Sequence, residues 1–296
     1  MPLDELRSLV HRHAGRADIA DVIVSKSTTS SPPTAAMSHP ILAIVAQGQK
    51  RVVSGDRVLD YGAGQYLVVS VDLPVVGQYV DASAAEPCLG FGLLLRPEEI
   101  AALMVQTGLA RDGARERQTP PGIAVSDAPE EMVDAAVRLL RLLDSPGDRD
   151  VLAPLIKREI LWRLLTGDQS AMVRQIGLAD SNTSAISAAM EWIRDHHVET
   201  LRIEEAARVA RMSVSSFHRH FRAVTAMTPL QYQKQIRLQQ ARFRLLVAPD
   251  DIAGVGQAVG YESPSQFSRE YRRLFGEAPG RDALRLRGTT PDRLAL

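Results

Sequence analysis

Residues 203–229 read IEEAARVARMSVSSFHRHFRAVTAMTP, and residues 253–279 read AGVGQAVGYESPSQFSREYRRLFGEAP. At a fixed offset of fifty, Val209 matches Val259, Ser213 matches Ser263 and Ser215 matches Ser265. Phe217 matches Phe267, Arg219 matches Arg269, Arg222 matches Arg272 and Pro229 matches Pro279. Two copies are too few for a solenoid, so each is expected to be one supersecondary unit used twice.

Each copy begins with a short amphipathic stretch, at about 203–210 and 251–259, and then turns at Arg211-Met212 or at Gly260-Tyr261-Glu262. Ser213 and Ser263 sit where a second helix wants an N-cap oxygen for its free N–H groups. Pro264 falls at the first helical position, where a missing N–H costs nothing. Val214, Phe217, Phe221 and Val224 make a core-facing row at helical period, echoed by Phe267, Tyr271 and Leu274. The opposite row is polar and basic: Ser215, His218, Arg219 and Arg222, echoed by Ser265, Ser268, Arg269 and Arg272.

A helix that buries one face and offers Ser, His and Arg on the other suits the DNA major groove, where Arg pairs with guanine O6 and N7. A solvated basic face on an ordinary bundle is the plainer account of such a row. Duplication of both rows, with matching caps and turns, favours two helix-turn-helix units. The candidate DNA-contacting residues are Ser213, Ser215, Ser216, His218, Arg219 and Arg222 in the first copy. In the second they are Pro264, Ser265, Gln266, Ser268, Arg269, Arg272 and Arg273. Between the copies, 230–246 (LQYQKQIRLQQARFRLL) predicts one long helix with Leu230, Ile236, Leu238, Ala241 and Leu245 at its apolar positions. Such a connector sets the separation of the two recognition helices, which for adjacent grooves is about 34 Å.

The second copy with its flanks, DIAGVGQAVGYESPSQFSREYRRLFGEAPGRDALR, resembles the signature of the AraC/XylS family of bacterial transcription regulators, a likeness covering about 186–287. Ile252, Ala253, Gly260, Tyr261, Ser263, Phe267, Arg269, Tyr271, Arg272, Gly276, Pro279 and Arg281 or Arg285 carry it, with Tyr261 and Tyr271 standing where the family usually has Phe. The resemblance implies base contacts near Ser215, His218 and Arg219, and more variable ones from Pro264, Ser265, Gln266, Ser268 and Arg269.

Net charge is zero over 296 residues, yet it is unevenly placed. Residues 1–185 hold 18 Lys and Arg against 23 Asp and Glu, whereas 186–288 hold 16 against 11. The C-terminal part is therefore the electrostatic partner for a polyanion. The length is ample for two cores. No apolar run is long enough for a membrane span, the first residues lack a signal-like apolar core, and a single cysteine excludes an intrachain disulfide. A cytoplasmic protein is expected.

Upstream of the repeat the pattern changes. A short helix is expected over 4–13. β-like runs follow from 19 to 95: ADVIVSKS, HPILAIVAQG, QKRVVSG, DRVLDYG, GQYLVVSVDL, VVGQYV and CLGFGLLL. Their turns are expected at Gly55-Asp56, Gly62-Ala63-Gly64 and Asp72-Leu73-Pro74. This spacing predicts a small antiparallel barrel or sandwich. Helices are expected at 97–107, 129–144 and 151–166, the last two forming a hairpin that either closes the barrel or pairs with another subunit. Residues 167–185, with GDQS and DSNTS, read as a connecting stretch. AQGQKRV (46–52), YGAGQYLVVSVDLPV (61–75) and EPCLGFGLLL (86–95) resemble the cupin-like sensor domain found ahead of one subgroup of AraC-type regulators.

The expected architecture is thus α+β in two domains. Residues 1–178 form a cupin-like β-barrel with a helical hairpin for sensing and dimerisation, 179–185 link, and 186–296 form an all-α domain with two helix-turn-helix units. The expected partners are double-stranded DNA, a small-molecule effector, a second copy of the chain and, for an activator, RNA polymerase. No membrane, cofactor or enzymatic activity is expected. Cupin metals use a set of barrel histidines, but none lies between His39 and His196, and His11 and His13 point apart on a helix. Cys88 lies on an apolar run without a cationic neighbour in sequence, which favours an inert buried thiol over a sensor. Gly62-Ala63-Gly64 is too short for a nucleotide fingerprint. Two other readings stay open: a DNA-binding regulator without ligand control, and a cupin enzyme with a DNA-binding tail.

Overall fold

The computed structural model describes residues 1–109, 119–178, 181–247 and 251–287. The chain opens with helix α1 (Pro2–His13) and continues into eight strands. These are β1 (Val22–Ser27), β2 (Thr34–Ser38), β3 (Ile41–Gln47), β4 (Gln49–Ser54), β5 (Arg57–Gly62), β6 (Gln65–Val69), β7 (Leu73–Val80) and β8 (Cys88–Leu94). After α2 (Pro97–Thr107) comes a ninth strand, β9 (Ile123–Asp127). Two antiparallel sheets result, in the orders β1-β8-β3-β6-β9 and β2-β7-β4-β5.

Both faces of the first sheet are covered, so β8 is buried along nearly its whole length instead of alternating. Leu42, Ile44, Phe91 and Leu93 face α1, α3 (Glu130–Arg141) and α4 (Pro146–Thr166), the expected hairpin. Ile41, Val45, Leu67 and Val69 face the second sheet, which supplies Val52, Tyr61, Leu73 and Val75.

Several sequence expectations are corrected here. Strands β2 and β9 were not foreseen. Leu73 and Pro74 belong to β7 and not to a turn. Pro74 is tolerated because it pairs only with Met37 of β2, while β4 begins its pairing with β7 at Val76. The stretch 167–185 is not an open connector. It holds α5 (Ser170–Gly177), which buries Met172 and Val173, and the first turn of α6 (Asn182–Asp195), capped by the Ser181 hydroxyl. Residues 179–180 of the expected linker and 288–296 of the expected C-terminal domain lie outside the described residues.

The C-terminal part is helical: α6, α7 (Ile203–Val209), α8 (Val214–Thr225), α9 (Pro229–Val247), α10 (Ile252–Ala258), α11 (Pro264–Phe275) and α12 (Pro279–Arg287). It does not stand apart from the sheets. Ile186, Met190, Phe217, Phe221, Val224, Tyr232 and Ile236 share one continuous apolar cluster with the residues between the sheets. Leu238, Ala241 and Leu245 of α9 pack instead with Val255, Phe267 and Tyr271. The long helix therefore has one end in each of two cores.

Candidate nucleic-acid interface

The repeat folds as two helix-turn-helix units. In the first, α7 leads through Arg211, whose φ of 53° is left-handed, into α8. The Ser213 hydroxyl accepts from Ser216 N–H at 3.3 Å. In the second, α10 leads through Gly260, φ 90°, into α11, and the Ser263 hydroxyl accepts from Gln266 N–H at 3.3 Å. The recognition helices both end on a left-handed residue, Ala226 and Gly276.

The copies superpose at an offset of fifty only after the turn. Before it, Met212 N–H donates to Ala207 O, as Tyr261 N–H donates to Gly256 O. The structural partner of buried Val259 is thus Ala210, also buried, whereas Val209 is 37% exposed. The extra residue is in the second turn. Two other apolar assignments shift: Val214 is 39% exposed and Leu230 is 52% exposed, so neither belongs to the core row.

Phe217, Phe221 and Val224 of α8 are buried, as are Phe267 and Tyr271 of α11. The opposite rows are outward. Ser213, Ser215, His218, Arg219 and Arg222 are exposed and Ser216 half-buried. Pro264, Ser265, Arg269, Arg272 and Arg273 are exposed, and Gln266 and Ser268 half-buried. Among the described residues the side chains of His218, Arg269, Arg272 and Arg273 have no hydrogen-bond or ion-pair partner. Arg219 reaches only Ser216 Oγ at 3.5 Å and His220 Nε2 at 3.3 Å. Burial, and secondarily the Arg219 guanidinium, depress the His220 pKa, so its imidazole is neutral at pH 7. Gln266 is tied back to Glu270 at 3.2 Å, and Ser265 shares a hydrogen bond of 2.9 Å with Ser263.

The two units are braced as one body. Arg237, in the middle of α9, donates to His197 O and, at 2.8 Å each, to Glu199 O and Gly260 O. It thus joins the loop before α7 to the turn of the second unit. Lys234 pairs with Glu270 of α11 at 3.0 Å. Burial raises the Glu270 pKa, but the Lys234, Tyr261 and Gln266 hydrogen bonds outweigh it and hold the carboxyl below its ordinary value. Arg242 of α9 pairs at 2.9 Å with Asp282 of α12, which is fully buried. The 19 residues of α9 span roughly 28 Å at about 1.5 Å each, comparable with the groove repeat of about 34 Å. Arg237 was not singled out in the sequence because nothing local distinguishes it from other arginines. Its role is visible only through the four carbonyls it gathers, those of His197, Val198, Glu199 and Gly260.

The sheets hold the far end of α8. Gly122 N–H donates to Val224 O at 2.8 Å, and Arg57 donates to Ala223 O at 3.3 Å. Arg222 pairs with Asp56 at 3.3 Å, with both side chains more than 60% exposed, a contact worth little in water. Thr119 meets His220 Nδ1 at 2.5 Å. On the α6 side, Arg194 pairs with Asp72 at 2.7 Å. Of the residues expected to contact DNA, only Arg222 is thus engaged by the sheets.

Comparison with known proteins matches this arrangement. Residues 18–172 match the model of the AraC-type transcriptional regulator N-terminus, and 206–284 match a helix-turn-helix domain. The chain belongs to the AraC family of transcriptional regulators. The HTH-type transcriptional activators RhaS of Salmonella paratyphi B and Salmonella newport are 28% identical over 155 residues, covering 50% of this chain and 54% of RhaS. The chain thus spans about half the length of the curated relatives it matches. Among solved structures, unsaturated fatty acid bound ToxT of Vibrio cholerae aligns with a TM-score of 0.57 at 10% identity, covering 93% of this chain and 99% of that one. ToxT bound to (E)-4-(8-methylnaphthalen-1-yl)but-3-enoic acid aligns with a TM-score of 0.53 at 8% identity, covering 88% and 99%. These two likenesses concern the fold.

Proposed function

We propose that this AraC-family chain is a sequence-specific, DNA-binding regulator of transcription acting in the cytoplasm, not an enzyme. In this reading the outward rows of α8 and α11 enter adjacent major-groove segments. The observation that carries it is the pair of capped recognition helices, each presenting serine and arginine outward, on a framework locked by Arg237. The division of labour is a sensing and dimerising region at 1–178 and a DNA-binding region at 186–296. A small-molecule effector is supported by ToxT, which has the same overall fold and holds an unsaturated fatty acid. A homodimer is supported by α4, where Val151, Leu155 and Trp162 form an exposed apolar row at helical spacing, with Val105 of α2 also exposed. If the chain activates, as RhaS does, RNA polymerase is a further partner.

The test is operator selection from genomic fragments, followed by salt-controlled gel shifts. Arg219→Ala should cost about 1–3 kcal/mol of specific binding and relax preference at one base position. Unchanged affinity and preference for the selected operator would remove Arg219 from the interface.

A further inference from the structure

The turns of the two units share a backbone path and differ in side chains. Met212 and Tyr261 hold the same place, each donating its N–H to the carbonyl five residues back. Arg211 is therefore the partner of Gly260, and Arg208 that of Gln257. Arg211 and Gly260 are both left-handed, at φ 53° and 90°. Glycine adopts that conformation freely, whereas a residue with a Cβ is disfavoured in it. In the second unit the neighbours also require glycine. A methyl group on Gly260 would press on Val198 O and lie 2.9 Å from Arg237 Cζ, because that turn docks on the Arg237 brace. The first turn faces water, and the Arg211 side chain is exposed.

Arg208 lies three residues earlier, in the last turn of α7. The Arg211 N–H donates to its carbonyl at 2.9 Å, so the two residues are neighbours across the turn. Both side chains are exposed, and among the described residues neither has a hydrogen-bond or ion-pair partner. A cation in the last turn of a helix complements the dipole, which accounts for Arg208. It does not account for Arg211, which stands past the Ala210 cap in a conformation that glycine would hold more easily.

We propose that Arg208 and Arg211 form a two-cation clamp on the DNA sugar–phosphate backbone, beside the groove that α8 enters, and that the second unit has no counterpart. Arg211 stands two residues before the Ser213 cap, at the entrance to α8. In a helix-turn-helix the first helix crosses the backbone while the second enters the groove. Cations at the junction of the two therefore meet phosphates and not base edges. The planar guanidinium fork suits phosphate oxygens. Such contacts fix grip and register without reading sequence. The unequal turns give the DNA-binding part a polarity: the first unit is anchored to DNA at its turn, and the turn of the second faces protein. The inference rests on the proposed DNA-binding function and adds two residues to that surface.

The test uses the full chain with two duplexes, the selected operator and an unrelated sequence, titrated by fluorescence anisotropy over a series of salt concentrations. Each phosphate contact contributes about 0.9 to the slope of log affinity against log salt, which at about 0.1 M salt is about eight-fold in affinity. Arg211→Gly should lower the slope by about 0.9 per bound chain and weaken both duplexes by the same factor. Adding Arg208→Gln, which gives the first unit the residues of the second, should double that change. Arg211→Lys should keep the slope. Arg12→Gln, at a 64% exposed arginine on α1, should leave it unchanged. The thermal midpoint of Arg211→Gly should not fall, because glycine suits the left-handed turn. A slope that survives Arg211→Gly, a loss confined to the operator, a lowered midpoint, or an equal loss in Arg12→Gln would each overturn the clamp and leave the DNA-binding reading standing. An unaltered chain that binds neither duplex would overturn both.

Discussion

Asp282 offers the sharpest test of how the second helix-turn-helix unit is held. Its carboxylate is fully buried and accepts from Arg242 at 2.9 Å, from Tyr271 Oη at 2.8 Å and from Arg285. Arg242 is itself only 12% exposed and lies 4.7 Å from the Phe275 ring centre. Asp282→Asn keeps the volume but removes the charge, leaving Arg242 buried without a counter-ion. Loss of one partner from such a pair costs about 3–5 kcal/mol. Arg285, 45% exposed, adds at most about 1 kcal/mol, so a loss of about 3–6 kcal/mol in urea unfolding is expected. Burial raises the Asp282 pKa, yet Arg242 and the three hydrogen bonds outweigh it and hold the group below its ordinary value. The stabilisation is therefore complete above the unfolded carboxyl pKa of about 3.9 and fades as pH falls through the folded value. The gap between wild type and Asp282→Asn should accordingly close in acid. Hydrogen exchange should localise the weakness to residues 252–287, because α10, α11 and the end of α9 form their own core. An Arg242→Met, Asp282→Leu double variant should recover most of the loss. A loss under about 1 kcal/mol at pH 7, or a double variant worse than the single, would refute the account.

Two further outcomes are expected. Gly55→Ala places a methyl group 2.2 Å from Ala226 O at a residue whose φ is +61°. Thermal unfolding should show about 1–3 kcal/mol lost and hydrogen exchange should quicken over residues 214–226, whereas unchanged exchange there would mean that the turn does not hold α8. Replacing Leu155 and Trp162 by aspartate should convert a micromolar dimer to monomer in sedimentation, and a dimer that persists would place the interface elsewhere.

The repeat was legible because it states the same physics twice: two serine caps, two aromatic rows and two basic rows at matching spacing. The one-residue slip before the turn was harder to see, because Val209 and Val259 match by identity although only Val259 is buried. Strands with a strong apolar pattern, such as ILAIV in β3, were also legible. TAAMS in β2 carries small residues with no alternation to read, and IAVSD in β9 is a lone short strand that finds its partner β6 more than fifty residues earlier. Helix α5 was hidden by flanking GDQS and DSNTS, whose polar residues serve as its approach and as the cap of α6.

The larger omission concerns what covers a face and not whether a face is covered. Helical period showed that Phe217, Phe221 and Val224 face inward, and their own helical unit was the natural covering. The structure places them in a cluster that also contains Val52, Val71, Val75 and Ile123 from the sheets. Periodicity reports that a side chain avoids water, and it is indifferent to the partner that excludes it. The polar contacts at the same junction, Asp56 with Arg222 and Asp72 with Arg194, link positions more than a hundred residues apart and leave no local pattern. They bear directly on function. A recognition helix whose inner face is shared with the sheets, and whose end meets Arg57 of the β4–β5 hairpin and the Gly122 N–H, cannot be displaced without disturbing the sheets. By reciprocity, anything that alters the sheets alters the helix.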